Sequence, residues 1–351
     1  MSAVATRIGP PIRPAPAVIG AIGCALLAAW GIFMPRAVLQ GWLIGFVFVG
    51  GVPLGAVALM CVARLTGGRW AVAARPVLLR ALAATPLLCL AFLPVLLGAG
   101  LIFSWASHPD AAGKEVSLLY LNTGFFALRG GLALIGLSVV AVLLLRGREG
   151  RLVAALGLVF YAVAVDFVSV DWMLSLAPRF SSSAFGAEMA IQQILAALAL
   201  LLVWPAARSE ADARDLAGLT LAAALGVLYM ETMSLIINWY GDEPDRAAWY
   251  LDRVAGVWLW LALCALAFGA VGPIAALLFT RVRASSVALR IVGASLLSGV
   301  ALHDLWLMAP NTAQAAGPAA MLGVVATAAL AIAFSSWLQA RLASGRRGDV
   351  D

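Results

Sequence analysis

The chain has 351 residues, 64% of them hydrophobic and only 11% charged, with a mean hydropathy of +1.01. Soluble domains carry about 25% charged residues, so this composition excludes a soluble globular protein and reads as an integral membrane one. The formal charge of +6, built on 22 arginines and one lysine, comes with no nucleic-acid-binding pattern and is accounted for by arginine-rich loops at a membrane surface.

About 20 mostly apolar residues cross a bilayer as a helix. Ten such stretches follow one another, at 15–34, 38–63, 77–103, 123–145, 152–176, 184–207, 216–240, 255–280, 286–308 and 316–341. The expected fold is therefore all-α, a single polytopic membrane domain. "AIGC" at Ala21–Cys24 is followed by the apolar run "ALLAAWGIFM", which a lipoprotein processing site would not be, so the first stretch reads as an uncleaved span. The longest connections, "SWASHPDAAGKEVSLLY" after span three and "GDEPDRAAWYLDR" after span seven, are too short to be domains. With the N-terminus cytoplasmic, seventeen cationic residues fall on the cytoplasmic side and five on the other, so both termini are expected to be cytoplasmic. Trp70, Trp105, Trp204, Trp239, Trp249 and Trp306 fall near span ends, as an aromatic belt would.

Polar residues inside the spans stand out. Span four carries Asn122 and Arg129, seven apart on one stripe. Span five carries Asp166 and Asp171, about 140° apart around a helix, with Ser175 on the Asp171 face. Glu188 and Gln192 lie one turn apart on span six, and Glu231, Ser234 and Asn238 form a stripe on span seven. Span nine ends with His303 and Asp304. A charge at a helix centre costs roughly 2.5–3.5 kcal/mol, and one arginine does not neutralise several acids. One reading makes Asp166, Asp171, Glu188, Glu231, Arg129, His303 and Asp304 a proton path, with Asn122, Ser175, Gln192, Ser234 and Asn238 lining a polar cavity. The other places Asp171, Glu188 and Asp304 in the interfacial layer as helix caps.

Cys24, Cys61, Cys89 and Cys264 form no CxxC pair, which argues against disulfides, iron–sulfur ligation and structural zinc. His108 and His303 sit too close to span ends to suit a bis-histidine haem. "LTGGRW" lacks the GK[ST] ending of a phosphate loop and reads as a tight turn. Pro53, Pro86, Pro94 and Pro273 lie inside spans and predict kinks.

The stretch "DFVSVDWMLSLAPRFSSSAFG" (Asp166–Gly186) resembles the signature after the fifth span of the F subunit of bacterial alternative complex III, a relative of the NrfD/PsrC quinol-interacting membrane proteins. "RLTGGRW" (Arg64–Trp70), "YLNTGFFALRG" (Tyr120–Gly130) and "INWYGDEPDRAAWYLDR" (Ile237–Arg253) agree in order. The resemblance implies two central four-helix bundles, spans two to five (38–176) and six to nine (184–308), plus two peripheral helices. It implies a bacterial inner-membrane subunit of a quinol-oxidising complex, binding no redox cofactor directly and acting as a proton-conducting partner. Its neighbours would be an NrfD-like quinol-binding subunit, an Fe–S/molybdopterin-like subunit and c-type cytochromes, with quinol or lipid as possible contacts. The positions carried over are Asp166, Asp171, Trp172, Ser175 and Pro178, with Asn122 and Arg129 facing them; Arg64 and Arg179 stand where the family often has histidine. The alternatives are a subunit that itself binds quinol and a stand-alone secondary transporter, for which no clear inverted repeat is visible.

Overall fold

The computed structural model describes residues 14–108, 119–147, 150–178, 180–204, 209–241 and 244–348, and among them there is no strand. Arg7, Arg13, Lys114, Arg148, Arg179 and Arg208 lie outside the described residues. Among the described residues, ten helical segments are long and apolar enough to cross a membrane: Ala15–Phe33, Pro35–Thr66, Arg69–Leu97, Thr123–Leu145, Arg151–Leu176, Phe185–Val203, Glu210–Gly241, Val257–Leu278, Ser286–Asn311 and Ala316–Leu342. The protein is an all-α polytopic membrane protein. Alternation of the spans defines a near face, bearing the connections after spans two, four, six and eight, and a far face bearing those after the odd-numbered spans.

Local chemistry sets several of the boundaries. Gly67 and Gly68, at φ 72° and 103°, turn the chain between spans two and three, which is the tight turn expected of "LTGGRW". Asn122 caps span four, its Oδ1 accepting from Phe125 N at 2.9 Å, and Ser285 Oγ accepts from Ala288 N at the start of span nine.

The third span departs from the expected 77–103. Its helix begins at Arg69, ends at Leu82, and continues as the short helices Leu87–Ala91, Leu93–Leu97, Ala99–Ile102 and Ser104–Ser107. Pro86 and Pro94 supply no N–H for helical bonding, which interrupts the ladder. Side chains of span two take up carbonyls along this stretch: Trp42 Nε1 donates to Ala91 O at 2.8 Å and Gln40 Nε2 to Ile102 O at 3.2 Å. In span eight the five-residue π-turn Ala267–Val271 precedes Pro273, whereas Pro53 sits within an unbroken helix.

Span two is the most buried of the ten, with 78% of its apolar window covered. It packs against spans three, five, six and ten; spans four and five pack together, spans seven and nine pack on span six, and span eight packs on span nine. Span six joins the two groups through spans two and five, and span one is held mainly by span ten. Lipid is as apolar as leucine, so these contacts depend on close approach of small residues. A Cβ on Gly45 would come within 2.9 Å of Gly323 C and Val324 N of span ten, and one on Gly41 would meet Ala319 and the Ala316 carbonyl. Gly55 meets the Gln193 backbone of span six, and Gly269 meets Gly299 between spans eight and nine.

The aromatic belt holds only in part. Trp204 and Trp239 are exposed, but Trp105, Trp249 and Trp306 are buried and belong to the packing of the far face. Gly45→Leu is expected to cost roughly 1–3 kcal/mol by overpacking and to lower the thermal midpoint in detergent. Gly131→Leu, with open space at its Cβ, should leave that midpoint in place; equal behaviour of the two variants would contradict the packing described.

Candidate functional site

Two buried polar clusters lie toward the far face. In the first, span four presents Arg129 from its second turn and span five presents Asp171 near its end. Arg129 Nε donates to Asp171 Oδ2 at 2.8 Å and Nη2 donates to Oδ1 at 2.7 Å, a two-pronged pair. The third prong, Nη1, donates to Tyr120 O at 3.1 Å, and the guanidinium lies 3.9 Å and 4.2 Å from the ring centres of Tyr120 and Phe125. Asp171 is fully buried and Arg129 is 7% exposed. Burial pushes the Tyr120 phenol, just outside span four, up to about 12, so it stays protonated at neutral pH. Below the pair, Trp172 packs on Phe46 and Phe92 with ring centres 5.0 and 5.4 Å apart.

The second cluster gathers three spans. Glu188 stands in the first turn of span six, Glu231 on span seven and His303 on span nine, with one donor atom of each all lying within 4.8 Å of one another. His303 Nε2 and Glu231 Oε1 are 2.6 Å apart, an ion pair when the imidazole is protonated, and His303 Nδ1 has no hydrogen-bond partner among the described residues. One turn beyond Glu188, Gln192 Nε2 donates to Asp304 Oδ1 at 3.0 Å, while Gln192 Oε1 has no partner among the described residues. Asn238, two turns beyond Glu231, donates from Nδ2 to Ser234 O at 2.7 Å and, at 3.5 Å, to the Tyr250 hydroxyl; its Oδ1 is unpaired among the described residues. Glu188, Gln192, Asn238 and Asp304 are buried, and His303 and Glu231 are half-buried.

A short helix, Pro244–Arg253, closes the far face over this cluster. Trp249 stacks on Phe180 of the loop after span five, with ring centres 4.1 Å apart and planes at 13°. Arg253 is 1% exposed; it stacks on Trp249 at 3.7 Å and donates to Trp249 O and, at 2.9 Å, to Leu307 O. Trp306 Nε1 returns a bond to Arg253 O at 3.0 Å. Burial lowers the Arg253 guanidinium to about 10, which leaves it cationic at neutral pH.

The residues singled out in the sequence separate into three sets. Arg129 and Asp171 meet in one cluster, and Glu188, Gln192, Glu231, Asn238, His303 and Asp304 meet in the other. Asp166 belongs to neither: it is exposed at the flank of span five against Gly186. The 140° between the two aspartates means that burying one turns the other outward, and Asp166 does not share the buried setting of Asp171. Two more are occupied by their own backbone: Asn122 is a helix cap and Ser175 Oγ donates to Asp171 O. Ser234 stands with the second cluster, its carbonyl accepting from Asn238 and its hydroxyl hydrogen-bonded with Tyr250. Asp171, Glu188 and Asp304, alternatively read as interfacial helix caps, are at most 4% exposed and partnered or clustered with other spans.

Sequence reading missed Trp249, Tyr250 and Arg253 as the closure of the second cluster. Their signal was a run of aromatics and charges at helical spacing inside an apparent loop. A separate cavity of about 300 Å³ opens between spans one, two, three and ten, beside the break in span three, lined by Trp42, Phe46, Pro53, Leu88, Pro94 and Leu330 among others.

Removing one partner of a buried ion pair costs roughly 3–5 kcal/mol, while replacing both with apolar residues is often neutral. Arg129→Met and Asp171→Leu are each expected to destabilise the detergent-solubilised protein strongly, with the double variant recovering most of the loss. Asp166→Asn should change stability by no more than about 0.5 kcal/mol. Additive losses in the double variant, measured by thermal unfolding, would contradict the pairing. Neither a scan of protein-family models nor a search of curated proteins finds a match to this chain.

Proposed function

We propose that this chain is a membrane subunit, without a redox centre of its own, of a quinol-oxidising respiratory complex of the alternative complex III type. It would lie in a bacterial cytoplasmic membrane with both termini cytoplasmic, as the seventeen-to-five cation asymmetry favours. Electrons would pass through neighbouring subunits carrying Fe–S clusters and c-type haem. The part played by this chain is to hold a polar, protonatable pocket at the far side of the bilayer.

The observation that carries this reading is the Glu188–Glu231–His303 cluster, with Asp304 and Gln192 beside it, set among spans six, seven and nine under a short closing helix. Three carboxylates against one imidazole are not neutral in a medium where an unpaired charge is expensive. Protons exchanged with water at the far face supply the balance. The Arg129–Asp171 pair is already neutral and two-pronged; it is the positioning element, tying span four to the signature stretch of span five. A second reading, in which the chain also contacts quinol or lipid, is favoured by the apolar cavity between spans one, two, three and ten, and photolabelling with a tail-reactive quinone analogue would address it.

The test is gentle extraction of the protein from its native membrane, followed by mass spectrometry and a reduced-minus-oxidised spectrum. Co-purifying c-type haem and Fe–S subunits with quinol oxidation activity is the expected result; a lone, colourless protein would sink the reading. Within such a complex, Glu188→Gln and Glu231→Gln are expected to lower proton release per quinol severalfold with subunit composition unchanged. Unaltered proton release would remove the proton role and leave a scaffold.

A further inference from the structure

We propose that Glu188, Glu231 and His303 form a binding site for a transition-metal dication of the zinc class, held between spans six, seven and nine. The inference rests on the residues of this pocket and is independent of the respiratory reading. One carboxylate oxygen from each glutamate and one imidazole nitrogen lie within 4.8 Å of one another. An imidazole with two carboxylates suits zinc, copper or nickel rather than calcium or magnesium, which take all-oxygen shells. Tetrahedral zinc ligands stand about 2 Å from the metal and so roughly 3.3 Å apart, inside the 4.8 Å that encloses these three atoms.

Charge favours the same occupant. Two carboxylates and a neutral imidazole balance a double positive charge, so the metal neutralises its own three ligands, while the neighbouring Asp304 is bonded by Gln192 Nε2. A second observation points there independently. The buried Gln192 amide, at 4% exposure, is bound through Nε2 to the residue following His303, yet its Oε1 has no partner among the described residues. That atom is an acceptor only. A buried acceptor without a donor calls for a bound water, and a metal with three protein ligands keeps a position open for one.

The experiment uses the full-length protein in detergent, stripped with a chelator and titrated with zinc chloride. One zinc per chain and a raised thermal midpoint are expected, because a ligand bound only by the folded state stabilises it. Glu188→Gln, Glu231→Gln and His303→Gln should each weaken binding at least tenfold, and Glu210→Gln, on the near face, should not. Substoichiometric binding, or variants that bind as the parent does, would overturn the proposal. Should the variants fail to fold, X-ray absorption on the zinc-loaded parent decides: a shell of oxygen with one imidazole supports the site, and a sulfur-containing shell drawn from the cysteines overturns it.

Discussion

Compensation of buried charge is the constraint on which the far half of this molecule depends. A bare carboxylate in a bilayer costs kilocalories, and the protein meets that cost in two different ways. At Asp171 the compensation is internal and complete, a guanidinium fork with every prong occupied and aromatic rings on its faces. At Glu188, Glu231 and Asp304 it is incomplete within the described residues, since His303 is the one side chain in the cluster able to carry a positive charge. The first arrangement is a fixed joint between spans four and five. The second is a pocket whose charge has to be supplied from outside, by protons, by a dication, or by each in turn.

Both arrangements rest on helix contacts that contain little polar chemistry. Span two can lie between spans three, five, six and ten because Gly41, Gly45 and Gly55 let backbones meet. Span six, pressed against span two at Gly55, brings Glu188 and Gln192 to face spans seven and nine. The interruption of span three by Pro86 and Pro94 gives span two polar work as well, since Gln40 and Trp42 donate to carbonyls of that stretch. The helix 244–253 then seals the far end through Arg253, bonded to span nine, and Trp249, stacked on the loop after span five. Spans seven and eight, with 17% and 22% of their apolar windows buried, are the least enclosed part of the second group and leave Glu231 partly open.

Much of this was legible in the sequence, and the reasons are physical. Twenty-residue apolar runs have one stable fate in a bilayer, so the ten spans could be read directly, and the stripes Glu188–Gln192 and Glu231–Asn238 follow from helical periodicity. Pairings between spans could not be read, because periodicity says which residues share a face and not what that face meets. Asp166 shows the limit: it was grouped with the other span carboxylates on a proton path, but a place within a span does not fix rotation about its axis. Arg253 shows the opposite error, a loop cation taken for a surface charge whose long side chain turns inward to bond carbonyls. Hydropathy cannot see a ten-residue helix whose apolar face is made of Trp and Tyr, so the closing helix passed for a loop.

The most direct measurement of the account is infrared difference spectroscopy of the chelator-treated protein on transfer from H2O to D2O, in the carboxylic-acid stretching region. The account predicts a protonated-carboxyl band that shifts in D2O, is altered by Glu188→Gln or Glu231→Gln, and is unaffected by Asp166→Asn. A spectrum with no exchangeable carboxyl band, or one that only Asp166→Asn removes, would contradict it.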